Sequence, residues 1–278
     1  MTPIEIGSDA HRDLFCGEFI ATHDPYDATR MPWPELDDQA IQRLRSMPFW
    51  DEAISTESDV ALKVQALVPL QTDPLLRQAI ELQGFEEGRH AQLLREMLRH
   101  YEIPQPVVTE QKQHPDPEWG FLRVGYGECF DSFFAFGLFR VAGEVRLFPE
   151  PLLKVLEPIV REEARHILFF VNWVAYCRAR QAWYRRPAHT ARCGLAMAIQ
   201  VWKRIRTAIA AARGGREDDD DFMIGVQDSL DLNVSPRHVI ETCLRENDAR
   251  LQPYDPRLLR PSFVPRLARM TTAFLPGK

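Results

Sequence analysis

The phrase Glu-Glu-x-Arg-His occurs twice in this 278-residue chain, as Glu86-Glu87-Gly88-Arg89-His90 and as Glu162-Glu163-Ala164-Arg165-His166, offset by 76 residues. Each copy contains Glu-x-x-His. On an α-helix residues i and i+3 share a face, so Glu87 with His90, and Glu163 with His166, each aim a carboxylate and an imidazole in one direction. That is the geometry of a metal-ligand pair. Spacing alone is weak evidence because Glu is abundant, and the surrounding period carries the weight. Leu76, Ile80, Gln83, Glu87, His90, Leu94 and Met97 follow a 4-3-4-3 spacing, the stripe a helix buries in a bundle. Leu152, Leu156, Ile159, Glu163, His166, Phe170, Trp173 and Cys177 repeat it.

A carboxylate on such a seam costs several kcal/mol unless its charge is offset, and no Lys or Arg lies on either seam within a turn of the pair. A cation held between the helices would offset it. The plainer alternative is surface decoration, with Glu86–Arg89 and Glu162–Arg165 bridging at i,i+3. It accounts for the arginines and leaves the seam carboxylates unexplained.

The length suits one large domain or two small ones. The expectation here is a single domain, with a bundle core at about 49–180, an N-terminal arm at 1–48 and a C-terminal helical extension at 181–278. Cys16, Cys129, Cys177, Cys193 and Cys243 are scattered, odd in number and without a Cys-x-x-Cys, so they read as free thiols in a reducing compartment. The start has neither a basic n-region nor an apolar h-region, which predicts a cytoplasmic protein. The apolar stretches 129–139 and 167–177 are interrupted by Asp131 and Asn172 and are too short to span a membrane. A net charge of −6 argues against nonspecific nucleic-acid binding, although Arg178, Arg180, Arg185 and Arg186 form a basic cluster of the kind found at solvated helix ends.

The helical pattern then sets the order. Residues 1–33 lack a clear period and read as an extended or loosely wrapped arm, followed by a short helix at about 35–46. A first long helix, about 49–70, carries Ile54, Glu57, Ala61, Val64 and Val68 on its stripe. Asp73-Pro74 starts the second, which runs to about 101. The midpoint between Glu57 and Glu87 falls in that turn, so an antiparallel hairpin puts both carboxylates at one height. The proline-bearing stretch 102–116 reads as a crossover connection.

The third long helix, about 118–147, offers two candidate acids, Glu128 and Glu144. Glu128 lies 35 residues before Glu163, close to the 30 between Glu57 and Glu87, which favours it. Glu144 is nearer the turn at 148–151 but has Arg140 at i,i+4 as an ordinary partner. Asp131, one turn past Glu128, is a candidate to hold a ligating histidine. The fourth helix covers about 151–183. A fifth, about 189–213, presents Leu195, Ala198, Val201, Trp202 and Ile205 as its apolar face and packs outside the core. Gly214-Gly215 ends it before an acidic run at 217–221. Ser235-Pro236 opens a further helix to about 247, and the proline-rich tail reads as irregular.

With Glu57, Glu87, His90, Glu128, Glu163 and His166 collected, the chain resembles the ferritin-like diiron-carboxylate superfamily, in its oxidase and oxygenase branch. One helix of each hairpin contributes a Glu and the other a Glu-x-x-His. The resemblance covers about residues 49–180 and implies an all-α, ferritin-like four-helix bundle with extra N- and C-terminal helices. It implies that Glu57, Glu87 and His90 serve one iron, that Glu128, Glu163 and His166 serve the other, and that Glu87 and Glu163 bridge. Four carboxylates then balance two Fe(II). Hard oxygen ligands with two imidazoles suit Fe or Mn.

Fold alone does not choose among iron stores, peroxidases, radical generators and oxygenases. The absence of Cys-x-x-Cys weakens a rubrerythrin-like peroxidase. A radical generator needs a tyrosine near the metals, and Tyr126 is near Glu128 only in sequence. Phe130, Phe133, Phe134, Phe136 and Phe139 are candidates for an apolar channel, or for plain core. The leading expectation is an O2-dependent diiron oxidase or oxygenase, hydroxylase-like, acting on a small, largely apolar organic substrate. It would draw electrons from an external reductase or ferredoxin, with a homodimer left open. The alternatives are a non-catalytic metal-binding or iron-handling protein, or a tRNA-hydroxylase-like enzyme.

Overall fold

Proline and aspartate mark where the long helices begin. In the computed structural model, which describes residues 3–47, 49–105, 112–212 and 235–272, Asp73 caps α4 (Pro74–His100) by accepting from the backbone N–H groups of Leu75 and Leu76. Asp116 caps α5 (Pro117–Glu144) through Trp119 N–H. In both, proline takes the first helical position, where no backbone donor is needed. The remaining long elements are α3 (Trp50–Leu67), α6 (Glu150–Arg180) and α7 (Arg186–Ala212). Around them lie α1 (Asp9–Ala21), α2 (Asp38–Ser46), α8 (Pro236–Leu251) and α9 (Phe263–Thr272). The expected glycine stop after the fifth helix and the acidic run at 217–221 lie outside the described residues.

The fold is all-α, consistent with a ferritin-like four-helix bundle made of the α3–α4 and α5–α6 hairpins. Its core divides into two apolar layers. Val60, Val64, Leu67, Leu76, Ile80, Phe121, Phe170 and Trp173 belong to one, and Trp50, Ile54, Leu94, Met97, Leu138 and Leu152 to the other. On α3 and α4 the boundary between the layers falls at Glu57 and Glu87, whereas on α5 Cys129 and Phe136, beyond Glu128, and on α6 Val160, ahead of Glu163, still belong to the first layer. The hairpins bring Glu87 and Glu163 together, with Glu57 beside His90.

Three peripheral elements differ from expectation. The arm is not extended: α1 packs on α6 with Phe15 and Phe19 against Phe169. His11 meets the buried Asn172 at 3.1 Å. Asn172, which only interrupts an apolar run in the sequence, also binds both the backbone N–H and C=O of Leu259 and so ties the arm and the tail to α6. The tail is not wholly irregular, since α9 forms within it.

The third difference concerns α7. It packs outside the bundle as expected but turns its other face inward: Cys193, Ala196, Gln200 and Thr207 are buried, while Leu195, Trp202 and Ile205 are exposed. The reason lies on α5. Gln200 donates to the Arg123 carbonyl at 2.7 Å and Arg204 to the Gly127 carbonyl at 3.1 Å. Arg204 also donates to the Asp131 carboxylate, a charge-assisted bond that an apolar face could not make.

Among the described residues, no helix is long and apolar enough to cross a membrane. The basic cluster does sit at a helix junction: Arg186 donates to the Ala179 and Gln181 carbonyls and Arg178 to Thr190.

Glycine also sets how closely α8 approaches α5. A Cβ at Gly137 would stand 2.7 Å from the Cys243 Cα, against backbone that cannot yield locally. Gly137→Ala is expected to lower stability by about 1–3 kcal/mol. Gly17→Ala, which meets open space on α1, should be neutral or stabilising by up to about 1 kcal/mol. Thermal unfolding of the two variants reads the difference.

Candidate metal centre

Glu87, His90, Glu163 and His166 are buried and converge, one ligand atom from each lying within 4.8 Å of all the others. The imidazoles face each other with ring centroids 5.5 Å apart. His90 Nδ1 lies 3.3 Å from Glu57 Oε2, 3.3 Å from Glu163 Oε1 and 3.8 Å from Glu87 Oε2. His166 Nδ1 lies 3.0 Å from Glu87 Oε1 and 3.6 Å from Glu163 Oε1. The two carboxylates of the repeated motif thus lie near both imidazoles, while Glu57 stands on the His90 side. Glu128 is buried beside the group, its nearest charges being those of Glu163 and Glu87. Glu144 is elsewhere, on the surface between Arg140 and His238.

The outer nitrogens are held by exchange between helices. Glu162 of α6 accepts from His90 Nε2 of α4 at 2.9 Å, and Glu86 of α4 accepts from His166 Nε2 of α6 at 2.9 Å. With Nε2–H donating outward, each Nδ1 is the nitrogen left to offer a lone pair to a metal once its proton is displaced. The arginines cross as well. Arg165 donates to Glu86 at 2.8 Å and Arg89 donates to Glu162. All four groups are buried, so the surface-decoration reading of these pairs is overturned. Asp131, a candidate for holding a histidine, instead accepts from Arg204.

The N-terminal segment completes the surround. His23 lies 2.5 Å from Glu86 and Tyr26 OH 3.5 Å from Glu162. Arg165 donates to the Phe19 carbonyl and lies over its ring, and Arg89 does the same with the Tyr26 carbonyl and ring. Nothing in the local sequence pattern points to His23 or Tyr26. Tyr126 packs against Phe170 instead.

Charge separates the two layers. Glu86 and Glu162 meet Arg165 and Arg89, a balanced set. Burial pushes the Glu86 carboxyl up, but the hydrogen bond and charge of His166 and the Arg165 guanidinium outweigh it and hold the group at about 2. The inner acids have no such partners. Burial lifts Glu57 to about 7, against the pull of His90. Burial together with the charges of Glu163 and Glu87 raises Glu128 well above the carboxylate range. Burial also acts against protonated imidazoles, yet Glu57 beside His90 and Glu87 beside His166 raise both well above the ordinary histidine value. Glu87 Oε2, Glu163 Oε1 and His166 Nδ1 have no hydrogen-bond partner despite complete burial. Orphaned lone pairs on hard donors, pointing at one place, fit a divalent cation.

Beside the centre lies an apolar cavity of about 250 Å³, lined by Glu57, Glu128 and Glu163 and by apolar side chains from all four bundle helices. Of the five α5 phenylalanines considered for a channel, Phe139 alone lines it; Phe130, Phe133 and Phe136 are core.

No protein-family model matches the chain, and no curated protein or solved structure matches it either. The class is defined by fold and site: an all-α protein whose buried glutamate–histidine cluster is capable of chelating two metal ions.

Two outcomes follow from this electrostatics. In the metal-free protein the raised imidazoles keep their protons through neutral pH, so a metal must displace them. Affinity for a divalent metal should rise with pH, with protons released on binding, as calorimetry in two buffers of different ionisation enthalpy would detect; absence of release would contradict the protonated state. Glu86→Ala and Glu162→Ala should each weaken metal binding about 10–100-fold by freeing the imidazole they orient, read by competition with a chromophoric chelator.

Proposed function

We propose that the protein is a non-haem diiron oxidase or oxygenase acting on a small, largely apolar organic molecule. Glu57, Glu87 and His90 would hold one iron and Glu128, Glu163 and His166 the other, with Glu87 and Glu163 shared. The observation that carries the assignment is the inner set of four carboxylates, Glu87, Glu128 and Glu163 buried and Glu57 partly so, which meet imidazoles, a hydroxyl and an amide while the outer glutamates each meet an arginine. Two divalent cations balance that charge. Iron or manganese suits the donors, and iron is favoured because the centre adjoins a cavity fit for an organic molecule, as oxygenation requires.

Two irons bound here would supply the binding and reduction of O2, with electrons from an external reductase or ferredoxin. The chain's own residues do the rest. Glu86 and Glu162 fix the tautomer and direction of the two imidazoles, and Ser132, which donates to Glu163 at 3.0 Å, orients the shared carboxylate. Gln83 does the same for Glu87 at 3.3 Å. The apolar lining excludes water from the space beside Glu57, Glu128 and Glu163, which favours reaction with carbon over release of reduced oxygen.

The test is anaerobic reconstitution with Fe(II), followed by metal analysis and O2 uptake with and without candidate substrates. Two irons per chain and substrate-dependent uptake are expected, and Glu163→Ala or His166→Ala should abolish uptake while the fold persists. Uptake of iron with no substrate dependence would point to iron handling. A protein that binds no iron would sink the assignment.

A further inference from the structure

The outward face of α7 has a regularity that the metal centre does not use. Ala188, Ala191, Leu195, Ala198, Trp202, Ile205 and Ile209 are all exposed, and they follow one another at a 3-4-3-4-3-4 spacing. An unbroken period of that kind over about 32 Å of helix is the seam of a coiled coil. The opposite face of α7, with Cys193, Ala196, Gln200 and Thr207, is buried, so the seam points away from the bundle.

The sizes along the seam choose what fits it. Its first half is mostly alanine and its second half is tryptophan and isoleucine. A parallel copy of α7 would set Trp202 on Trp202 and Ile209 on Ile209 while alanine faced alanine at the other end, crowded at one end and hollow at the other. An antiparallel copy, centred between Ala198 and Ile199, sets Ala188 against Ile209, Ala191 against Ile205 and Leu195 against Trp202, with Ala198 beside its own counterpart near the axis. Small then faces large away from the axis, which lets the layers interdigitate. One surface serves both copies, as a twofold interface requires.

The turn ahead of α7 extends this surface. Trp183 and Tyr184 are 80% and 61% exposed, and in the antiparallel register they come level with the far end of the second copy's helix. Together with Leu195, Trp202, Ile205 and Ile209, each 44–63% exposed, they leave on the order of 700 Å² open per copy, near the roughly 800 Å² that each partner gives to a standard stable interface. The seam itself carries no charge. Arg192, which flanks it and comes level with Arg206 of the second copy, is held by Asp116 at 2.6 Å.

We infer that the protein forms a twofold dimer in which α7 pairs antiparallel with α7 of a second copy about Ala198. Pairing would also fasten one wall of the cavity, since Gln200, Lys203 and Arg204 line it from the same helix. The dimer does not depend on the reading of the metal centre.

The experiment is sedimentation velocity on the full chain over a concentration series, joined to disulfide trapping under mild oxidation, with the unsubstituted protein as the control for its five cysteines. A concentration-dependent dimer is expected. Trp202→Glu, a change at an exposed position, should weaken it at least about 30-fold while circular dichroism shows the helices intact. Ala198→Cys should cross-link to itself, whereas Ala188→Cys should cross-link only when mixed with Ile209→Cys. These alanine changes are mild, which keeps the test decisive if Trp202→Glu fails to fold. A monomer at every concentration, whether the seam is bare or covered by another stretch of the chain, would overturn the inference. So would a dimer that Trp202→Glu leaves intact, a dimer that forms neither expected cross-link, or self-cross-linking of Ala188→Cys, which is the mark of a parallel pair.

Discussion

Everything about the centre of this molecule follows from the cost of keeping ionised carboxylates away from water. Four glutamates meet inside a four-helix bundle, and their direct partners there are two imidazoles, a hydroxyl and an amide. In such surroundings the free energy is lowered either by taking up protons or by taking up cations. The raised Glu57, Glu128, His90 and His166 express the first tendency. Two divalent ions are the second, and they also satisfy lone pairs that protons leave orphaned.

The outer layer keeps the inner one in place by making its two halves interdependent. Because α4 supplies the acid that orients the α6 histidine, and α6 the acid that orients the α4 histidine, neither helix can shift without disturbing both imidazoles. The arginines of each motif cross in the same way, and their remaining donors are taken by carbonyls of the N-terminal segment, at Phe19 and Tyr26. The arm therefore bears on the centre through two guanidinium groups and directly through His23 and Tyr26, which meet Glu86 and Glu162. A glycine on α5 lets one outer helix come close, since a Cβ at Gly137 would meet the Cys243 backbone of α8. The cavity opens beside the carboxylates, within the second apolar layer.

The sequence by itself determined the four-helix plan, the two hairpins and the common height of Glu57 and Glu87. Those follow from local rules: the 3-4 period of apolar residues, proline and aspartate at helix starts, and equal distances from Glu57 and Glu87 to their shared turn. It also favoured Glu128 over Glu144, through the repeated spacing of the hairpins. Only the tertiary structure decided which partner each charge takes. Glu86 with Arg89 and Glu162 with Arg165 are good i,i+3 pairs on paper, yet the buried state pairs them across helices, because two helices related by an approximate twofold bring each acid closer to the other's arginine and histidine. It also decided that α7 turns its polar face inward, where Gln200 and Arg204 bond to α5 and Arg204 meets the Asp131 carboxylate, while Trp202 stays exposed. His23, Tyr26 and the cavity belong to that same category, for they depend on distances between segments that have no local signature.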